Sequence, residues 1–147
     1  MGMYTGLRVK VTVKDEYRKM IRAINEGEEW LQFSCEYPFL AGYAALGRSE
    51  FIPNGMISYM PDSWETDDYR ATDGFETGID MRTGRWTFQC SLKNYENEIE
   101  KFLDEVLPNI ITSSEHIEYF YEEWDSGRLY EFVDGKLVVI QHGTWSY

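Results

Sequence analysis

The N-terminal part of the chain changes its hydrophobic spacing once, from every second residue to every third or fourth. Between residues 7 and 14 the apolar positions are Leu7, Val9, Val11 and Val13. This alternation is typical of a strand with one buried face. After Asp15 the apolar positions are Tyr17, Met20, Ile21 and Ile24, which share one face of a helix. We therefore predict a strand over 7–14 and a helix that begins at Asp15 and ends at Gly27.

The middle of the chain contains weaker helix signals and one clear hairpin. Residues 28–47 predict one or two short helices, with Pro38 in a first turn. Residues 53–55 predict a turn, and 56–60 a short strand closed by Pro61. Thr83-Gly84 separates two hairpin arms, 75–82 and 85–92. The second arm has an apolar row made of Trp86, Phe88, Cys90 and Leu92.

The C-terminal part predicts a helix followed by three strands. Asn94 is placed to cap the helix and Pro108 to end it. The predicted buried stripe of this helix is Tyr95, Ile99, Phe102, Leu103 and Val106. Strands are predicted at 116–124, 128–133 and 136–141, the last two joined by the tight turn Asp134-Gly135. The whole pattern predicts a single α+β domain over 1–147, with a mainly antiparallel or mixed sheet of about six or seven strands and helices packed against it.

Charge narrows the range of partners. The chain has 147 residues, is 43% hydrophobic and has a formal net charge of −12. Residues 1–48 contain seven basic and six acidic residues, whereas 49–147 contain seven basic and twenty acidic ones. Such a protein is repelled by phosphate backbones and anionic membranes, so we predict no direct nucleic-acid or membrane binding and favour a basic protein partner.

Cysteine usage and the N-terminus predict the compartment. Cys35 and Cys90 form neither a metal-binding spacing nor a disulfide framework. The N-terminus has no signal-peptide apolar region. We interpret both residues as reduced thiols of a cytoplasmic protein, with a single bridge as the less favoured alternative.

The most acidic stretch is PDSWETDDYRATDGFE, residues 61–76, which we call the acidic segment. Its carboxylates are Asp62, Glu65, Asp67, Asp68, Asp73 and Glu76. They do not reproduce the ligand spacing of an EF-hand loop, so we predict a solvated loop and no metal site. Trp64 lies among them, and we favour a residue that anchors its own loop over one that contacts a partner.

Catalytic patterns are weak. Glu122, Glu123 and Asp125 lie near Trp124, and a carboxylate among aromatic rings can act as a general acid. Outward carboxylates that keep an aromatic-rich strand soluble are the favoured alternative. There is no nucleophile elbow around Ser113 or Ser114, and no phosphate-binding or dinucleotide-binding glycine motif. We predict no catalytic residues and no cofactor.

Three hypotheses follow. The first is a non-enzymatic protein-binding module, of inhibitor or immunity type, that engages a basic partner. Its predicted contact residues are Asp62, Trp64, Glu65, Asp67, Asp68, Asp73, Glu122, Glu123, Trp124 and Asp125. The alternative is an enzyme or small-ligand binder with a pocket between sheet and helices, which would use Glu122, Glu123, Asp125 and His142. The third is an assembly subunit, and the oligomeric state stays open.

Overall fold

Two antiparallel sheets and several short helices make up residues 3–146, the part of the chain that the computed structural model describes. The six-stranded sheet has the order β2-β3-β1-β4-β6-β7, and β5 pairs separately with β8. The strands are β1 Tyr4–Val13, β2 Gly78–Ile79, β3 Arg85–Lys93, β4 Ile111–Tyr121, β5 Trp124–Ser126, β6 Arg128–Val133, β7 Lys136–Gln141 and β8 Thr144–Trp145. The predicted α+β class is confirmed. Of the predicted range 1–147, residues 1, 2 and 147 lie outside the described residues.

The helices are short and lie mainly between β1 and β4 in the chain. The α-helices are α1 Arg18–Asn25, α2 Ala41–Ala44, α3 Phe51–Asn54, α4 Glu98–Lys101 and α5 Leu107–Ile110, with a π-helical turn at Phe102–Val106. The 3-10 turns are Asp15–Tyr17, Trp30–Phe33, Pro38–Leu40 and Asp62–Trp64. Within residues 3–146, no helix combines the length and the apolar character that a membrane span requires.

Strand β1 lies at the centre of the sheet because both of its neighbours pair with it along most of its length. Val9 stands opposite Phe88 of β3 and Ile117 of β4. The four apolar residues predicted to be buried, Leu7, Val9, Val11 and Val13, are fully buried. They join the hydrophobic core together with Met20, Ile21 and Ile24 of α1 and the apolar row of β3. The predicted strand, helix and apolar row are therefore confirmed.

The second face of β1 is also covered, which the alternating pattern does not predict. Arg8 on this face is buried, at 6% exposure, and a Cβ on Gly6 would come within 2.9 Å of the Trp64 ring. Trp64 and Phe75 of the acidic segment lie over this face and are themselves buried. At β1 the sheet thus lies between the core on one side and part of the acidic segment on the other.

Residues 56–60 do not form the predicted strand. The Ser58 N–H donates to the Ser91 hydroxyl at 2.7 Å, so a side chain of β3 takes the place of a backbone ladder partner. Tyr59 then adopts a positive φ of 61°, which is incompatible with an extended strand.

The last helix also differs from its prediction. Tyr95 is 55% exposed and does not belong to the buried stripe, whereas Ile99, Phe102, Leu103 and Val106 are buried as expected. Pro108 does not end the helix, which continues to Ile110. A proline ring clashes with the carbonyl four residues earlier in a regular α-helix, and the wider π-helical turn before Pro108 accommodates it.

Candidate functional site

Arg8 holds the acidic segment against the sheet. Its Nε donates to Gln89 Oε1 at 2.9 Å, and its Nη2 donates to the Thr72 hydroxyl at 2.9 Å. The guanidinium carbon lies 4.0 Å from the centroid of the Phe75 ring and 4.8 Å from that of Trp64. Burial lowers the pKa of the Arg8 guanidinium, and nearby Glu118 and Asp73 partly offset this effect. Arg8 therefore forms hydrogen bonds with strand β3 and with the loop, and its guanidinium also contacts two aromatic rings.

Trp64 is the apolar anchor of the segment. Its side chain is 3% exposed, and its ring centroid lies 5.9 Å from that of Phe120 on β4. A Cβ on Gly6 would come within 2.9 Å of the Trp64 ring, so the ring lies directly on the β1 backbone. The Trp64 carbonyl accepts a hydrogen bond from Gln89 Nε2 at 3.0 Å. The structure agrees with the interpretation of Trp64 as a loop anchor. Its side chain is buried and does not face a partner.

Backbone and lysine contacts complete the attachment. The Thr72 N–H donates to the Trp64 carbonyl at 3.0 Å, and the Thr66 N–H donates to the Arg70 carbonyl at 2.8 Å. Lys10 on β1 places its ammonium 4.3 Å from the Phe75 ring centroid and donates to the Asp73 carbonyl. The segment is therefore an ordered loop that is attached from its inner side.

The carboxylates of the segment face outward. Asp62, Asp67, Asp68, Asp73 and Glu76 are exposed, and Glu65 is half-buried. Asp73 forms a long ion pair with Arg8 at 3.9 Å, although its own side chain is 74% exposed. Across residues 3–146, no group of three or more His, Cys, Asp or Glu side chains is arranged to hold a metal ion. The carboxylates form a charged outer face and do not converge on one point.

Two tyrosines that the sequence analysis did not select stand on this outer face. Tyr59 is 73% exposed and Tyr69 is 84% exposed, and Met56 beside them is 85% exposed. Both tyrosines have positive φ angles, 61° and 62°, which bulky residues rarely adopt. The one signal in the sequence was the position of Tyr69, which follows Asp68 in the acidic segment, whereas Tyr59 stood in the predicted strand 56–60.

Tyr69 separates two open grooves. One has a volume of about 580 Å³ and includes Met56, Glu65 and Glu76. The other has a volume of about 460 Å³ and includes Tyr59, Asp62 and Asp67. Aromatic and acidic side chains thus line adjoining concave surfaces. We call Met56, Tyr59, Tyr69 and the outward carboxylates Asp62, Glu65, Asp67 and Asp68 the acidic face.

The predicted contact residues near the C-terminus lie in a different environment. Trp124 packs against Tyr119, Tyr121 and Trp145, with ring centroids 5.7 to 6.2 Å away. Phe120 contacts Trp64, and side chains alternate between the faces of a strand, so Tyr119 and Tyr121 point to the opposite face of β4. Trp124 therefore belongs to an aromatic cluster that is separate from the acidic face.

Glu122 and Glu123, which precede Trp124, have structural contacts. The Glu122 carboxylate accepts a hydrogen bond from the Tyr4 N–H, and the Glu123 carbonyl accepts from the Ser146 N–H at 3.1 Å. Asp125 and His142 are exposed. Four cavities of about 400 to 580 Å³ found within residues 3–146 are lined by other residues. None of these four cavities includes Glu122, Glu123, Asp125 or His142.

The chain was compared with known proteins. Neither the protein-family models, nor the curated protein sequences, nor the solved structures contain a match to this chain. The function is therefore argued from the geometry of the acidic face alone.

Proposed function

We propose that this chain is a protein-binding module whose acidic face engages a basic segment of a partner protein. The observation that carries the proposal is the position of Tyr59 and Tyr69. Both rings are exposed to water on a part of the chain whose inner side is anchored by buried Arg8 and Trp64. The face therefore combines exposed apolar surface with an ordered support.

The apolar part of the face gives contact area. Tyrosine is enriched in the energetically important centres of protein interfaces, because its ring is large and has few rotatable bonds. Met56 adds a flexible apolar side chain that adapts to the shape of a partner. Large exposed aromatic residues beside a groove are costly to keep in water, and a partner that covers them removes this cost.

The carboxylates of the acidic face determine the sign of the charge that a partner must carry. Asp62, Asp67 and Asp68 are exposed beside the rings, and Arg70 is the one cation among residues 61–76. With a net charge of −12, the chain attracts cations over long distances and repels other acidic proteins. Charges at the rim of an interface mainly raise the association rate and select the partner. A protein that covers the basic cleft of a nucleic-acid enzyme, as an inhibitor or immunity protein does, would need such a face.

The support beneath the face reduces the cost of binding. Ordering a loop on association costs free energy, and a loop that is already ordered avoids this cost. Arg8, Trp64 and Thr72 connect the loop to β1 and β3 before any partner arrives. Trp64 therefore contributes by supporting the face and not by contacting the partner.

The experiment compares partner capture by two matched pairs of variants. Immobilised wild-type protein is exposed to a lysate at low salt and at about 0.5 M salt, where charge attraction between exposed groups is screened beyond a few ångströms. The first pair is the double variant Y59A/Y69A and the control Tyr95→Ala, whose tyrosine is exposed elsewhere. The second pair is D67N/D68N and the control Asp104→Asn, an exposed carboxylate on the π-helical turn.

We expect a basic protein to be captured at low salt and lost at high salt. Y59A/Y69A and D67N/D68N should each weaken its Kd by about tenfold or more, whereas the two controls should change it little. Equal capture by the paired variants and their controls would contradict the assignment of the acidic face.

A further inference from the structure

We propose that a separate cavity, which has Met56 in common with the acidic face, binds a small anion that carries an apolar group, such as an aromatic carboxylate or phosphate ester. The cavity has a volume of about 400 Å³ and lies where the chain around α3 passes the end of β3. Its walls are formed by Tyr4, Arg48, Phe51, Gly55, Met56, Ser58, Ser91, Leu92 and Lys93. The proposal does not depend on the protein-binding function.

The charge of this cavity is opposite to that of the protein. Arg48 and Lys93 line it, and none of its nine lining residues is acidic. The three other cavities, of about 410 to 580 Å³, each include at least two carboxylates. In a chain with 26 acidic and 14 basic residues, a cavity with two cations and no carboxylate is a distinct electrostatic environment. It attracts an anion that the rest of the surface repels.

Aromatic rings, and not carboxylates, position the two cations. The Arg48 guanidinium carbon lies 4.6 Å from the Tyr95 ring centroid, and the Lys93 ammonium lies 5.8 Å from that of Tyr4. Among the ion pairs formed within residues 3–146, none involves Arg48 or Lys93. A cation above a ring face keeps its N–H donors available, so both residues can donate charge-assisted hydrogen bonds to a ligand.

The backbone around Arg48 is also held in place. The Arg48 N–H donates to Glu98 Oε2 at 3.1 Å, and the Glu98 side chain is fully buried. The other oxygen of the same carboxylate accepts from the Glu96 N–H at 3.1 Å. The backbone at Arg48 is therefore fixed by a buried carboxylate, and its side chain lies over the Tyr95 ring and lines the cavity.

The opposite part of the cavity is apolar and ordered. Phe51 is 39% exposed and Met56 is 85% exposed, so both present apolar surface. The Ser91 hydroxyl accepts from the Ser58 N–H at 2.7 Å and keeps this wall beside β3. At Gly55 a Cβ would lie 2.8 Å from the Phe51 carbonyl oxygen and 3.0 Å from that of Ser91, so the backbones approach closely here. The volume falls within the range of small-ligand sites, roughly 300–1,000 Å³.

Phenyl phosphate and benzoate test the proposal, since each combines one ring with one anionic group. Calorimetric titration of the full chain measures their Kd. Inorganic phosphate, which has no ring, and benzyl alcohol, which has no charge, are the matched ligands. We expect at least one aromatic anion to bind at one site and about tenfold more tightly than either matched ligand, because only it contacts both ends of the cavity.

Variants locate the site. Arg48→Gln and Lys93→Gln should each weaken the binding of the aromatic anion by about tenfold, whereas Arg22→Gln, which removes an exposed charge from α1, should leave it unchanged. Phe51→Ala should bring the affinities of phenyl phosphate and inorganic phosphate close together. Circular dichroism of each variant establishes that it is folded.

Three outcomes would overturn the proposal. They are the absence of saturable binding by both aromatic anions, equal affinity for inorganic phosphate and phenyl phosphate, and equal losses in Arg22→Gln and Arg48→Gln. The variant D67N/D68N, whose residues do not line this cavity, should keep full affinity for the aromatic anion. The experiment therefore tests the anion site independently of protein binding by the acidic face.

Discussion

The guanidinium carbon of Arg8 lies 4.8 Å from the centroid of the Trp64 ring, and both side chains are almost completely buried. One residue comes from the central strand and the other from the most acidic stretch of the chain. A cation of the central strand is thus paired, inside the protein, with an aromatic ring of the acidic segment. This contact explains how a loop with six carboxylates remains folded against a sheet.

Replacement of Arg8 should destabilise the protein. Arg8→Met keeps the apolar stem but leaves the Thr72 hydroxyl and Gln89 Oε1 without their donor, and it removes the cation from two rings. We expect a loss of about 2–4 kcal/mol in the free energy of unfolding, measured by urea denaturation. The control Arg22→Met, on the exposed side of α1, should change it by less than about 0.5 kcal/mol. Equal losses would show that Arg8 has no special structural role.

Removal of the Trp64 side chain should loosen the acidic segment. Trp64→Ala deletes a buried ring and should cost about 3–5 kcal/mol. Because exposed Arg70 lies on the same loop, trypsin should cleave after it faster in the variant than in the wild type. Trp145→Ala removes a ring that is 52% exposed and should cost about 1 kcal/mol, with no change in this cleavage rate. An unchanged cleavage rate in Trp64→Ala would contradict the anchoring role.

The two cysteines should differ in reactivity. Cys35 is exposed, whereas Cys90 is fully buried and burial raises the pKa of its thiol far above the ordinary value. Since the thiolate is the reactive form, a thiol reagent should modify one residue in the native protein and both in denaturant. The variant Cys35→Ser should show no reaction until it unfolds. Two reactive thiols in the native state would contradict the burial of Cys90.

The turn between β2 and β3 should make stability depend on pH. Asp80 Oδ1 accepts from the Arg82 N–H at 2.8 Å and the Thr83 N–H at 3.3 Å, and these bonds lower the pKa of the Asp80 carboxyl below its ordinary value of 3.8. A lowered folded-state pKa means that the ionised carboxylate stabilises the fold above the unfolded-state pKa, and that this contribution is lost as the pH falls through the folded-state value.

Asp80→Asn tests this contribution. The free energy of unfolding of wild type should exceed that of the variant near neutral pH, and the difference should shrink from about pH 4 downward. Asp104→Asn is the control, since its carboxylate is exposed on the π-helical turn. A difference that stays constant from neutral pH to pH 2 would mean that the charge of Asp80 has no part in the turn.

Local periodicity was sufficient to predict several elements. The alternation of β1, the face of α1 and the apolar row of β3 were all correct, because each depends on which side of one element meets the core. The turn at Asp134-Gly135 was also correct, and both residues have the positive φ angles that this tight turn requires. The strand at 56–60 was wrong because its partner proved to be the Ser91 side chain, which no spacing in the sequence indicates.

The candidate site was only partly predictable. The acidic segment and its outward charges follow from composition, since clustered carboxylates must remain solvated. Composition did not predict that Tyr59 and Tyr69 stand on the acidic face, or that Trp124 lies apart from it. Both facts depend on which strand the loop crosses. No spacing in the sequence indicated that Arg8 and Glu98 are buried with hydrogen-bonding partners.

By itself, the sequence determined the fold class, the acidic character and the faces of the regular elements, because these properties arise from residues a few positions apart. Only the tertiary structure decided what covers the second face of β1 and which side chains meet there. Arg8 contacts Trp64, which is 56 residues away in the sequence, and Gln89, which is 81 residues away. A hydrophobic pattern shows which face of an element is buried, but a buried charge is stable only where distant polar partners converge on it, and that convergence is set by the topology of the sheet.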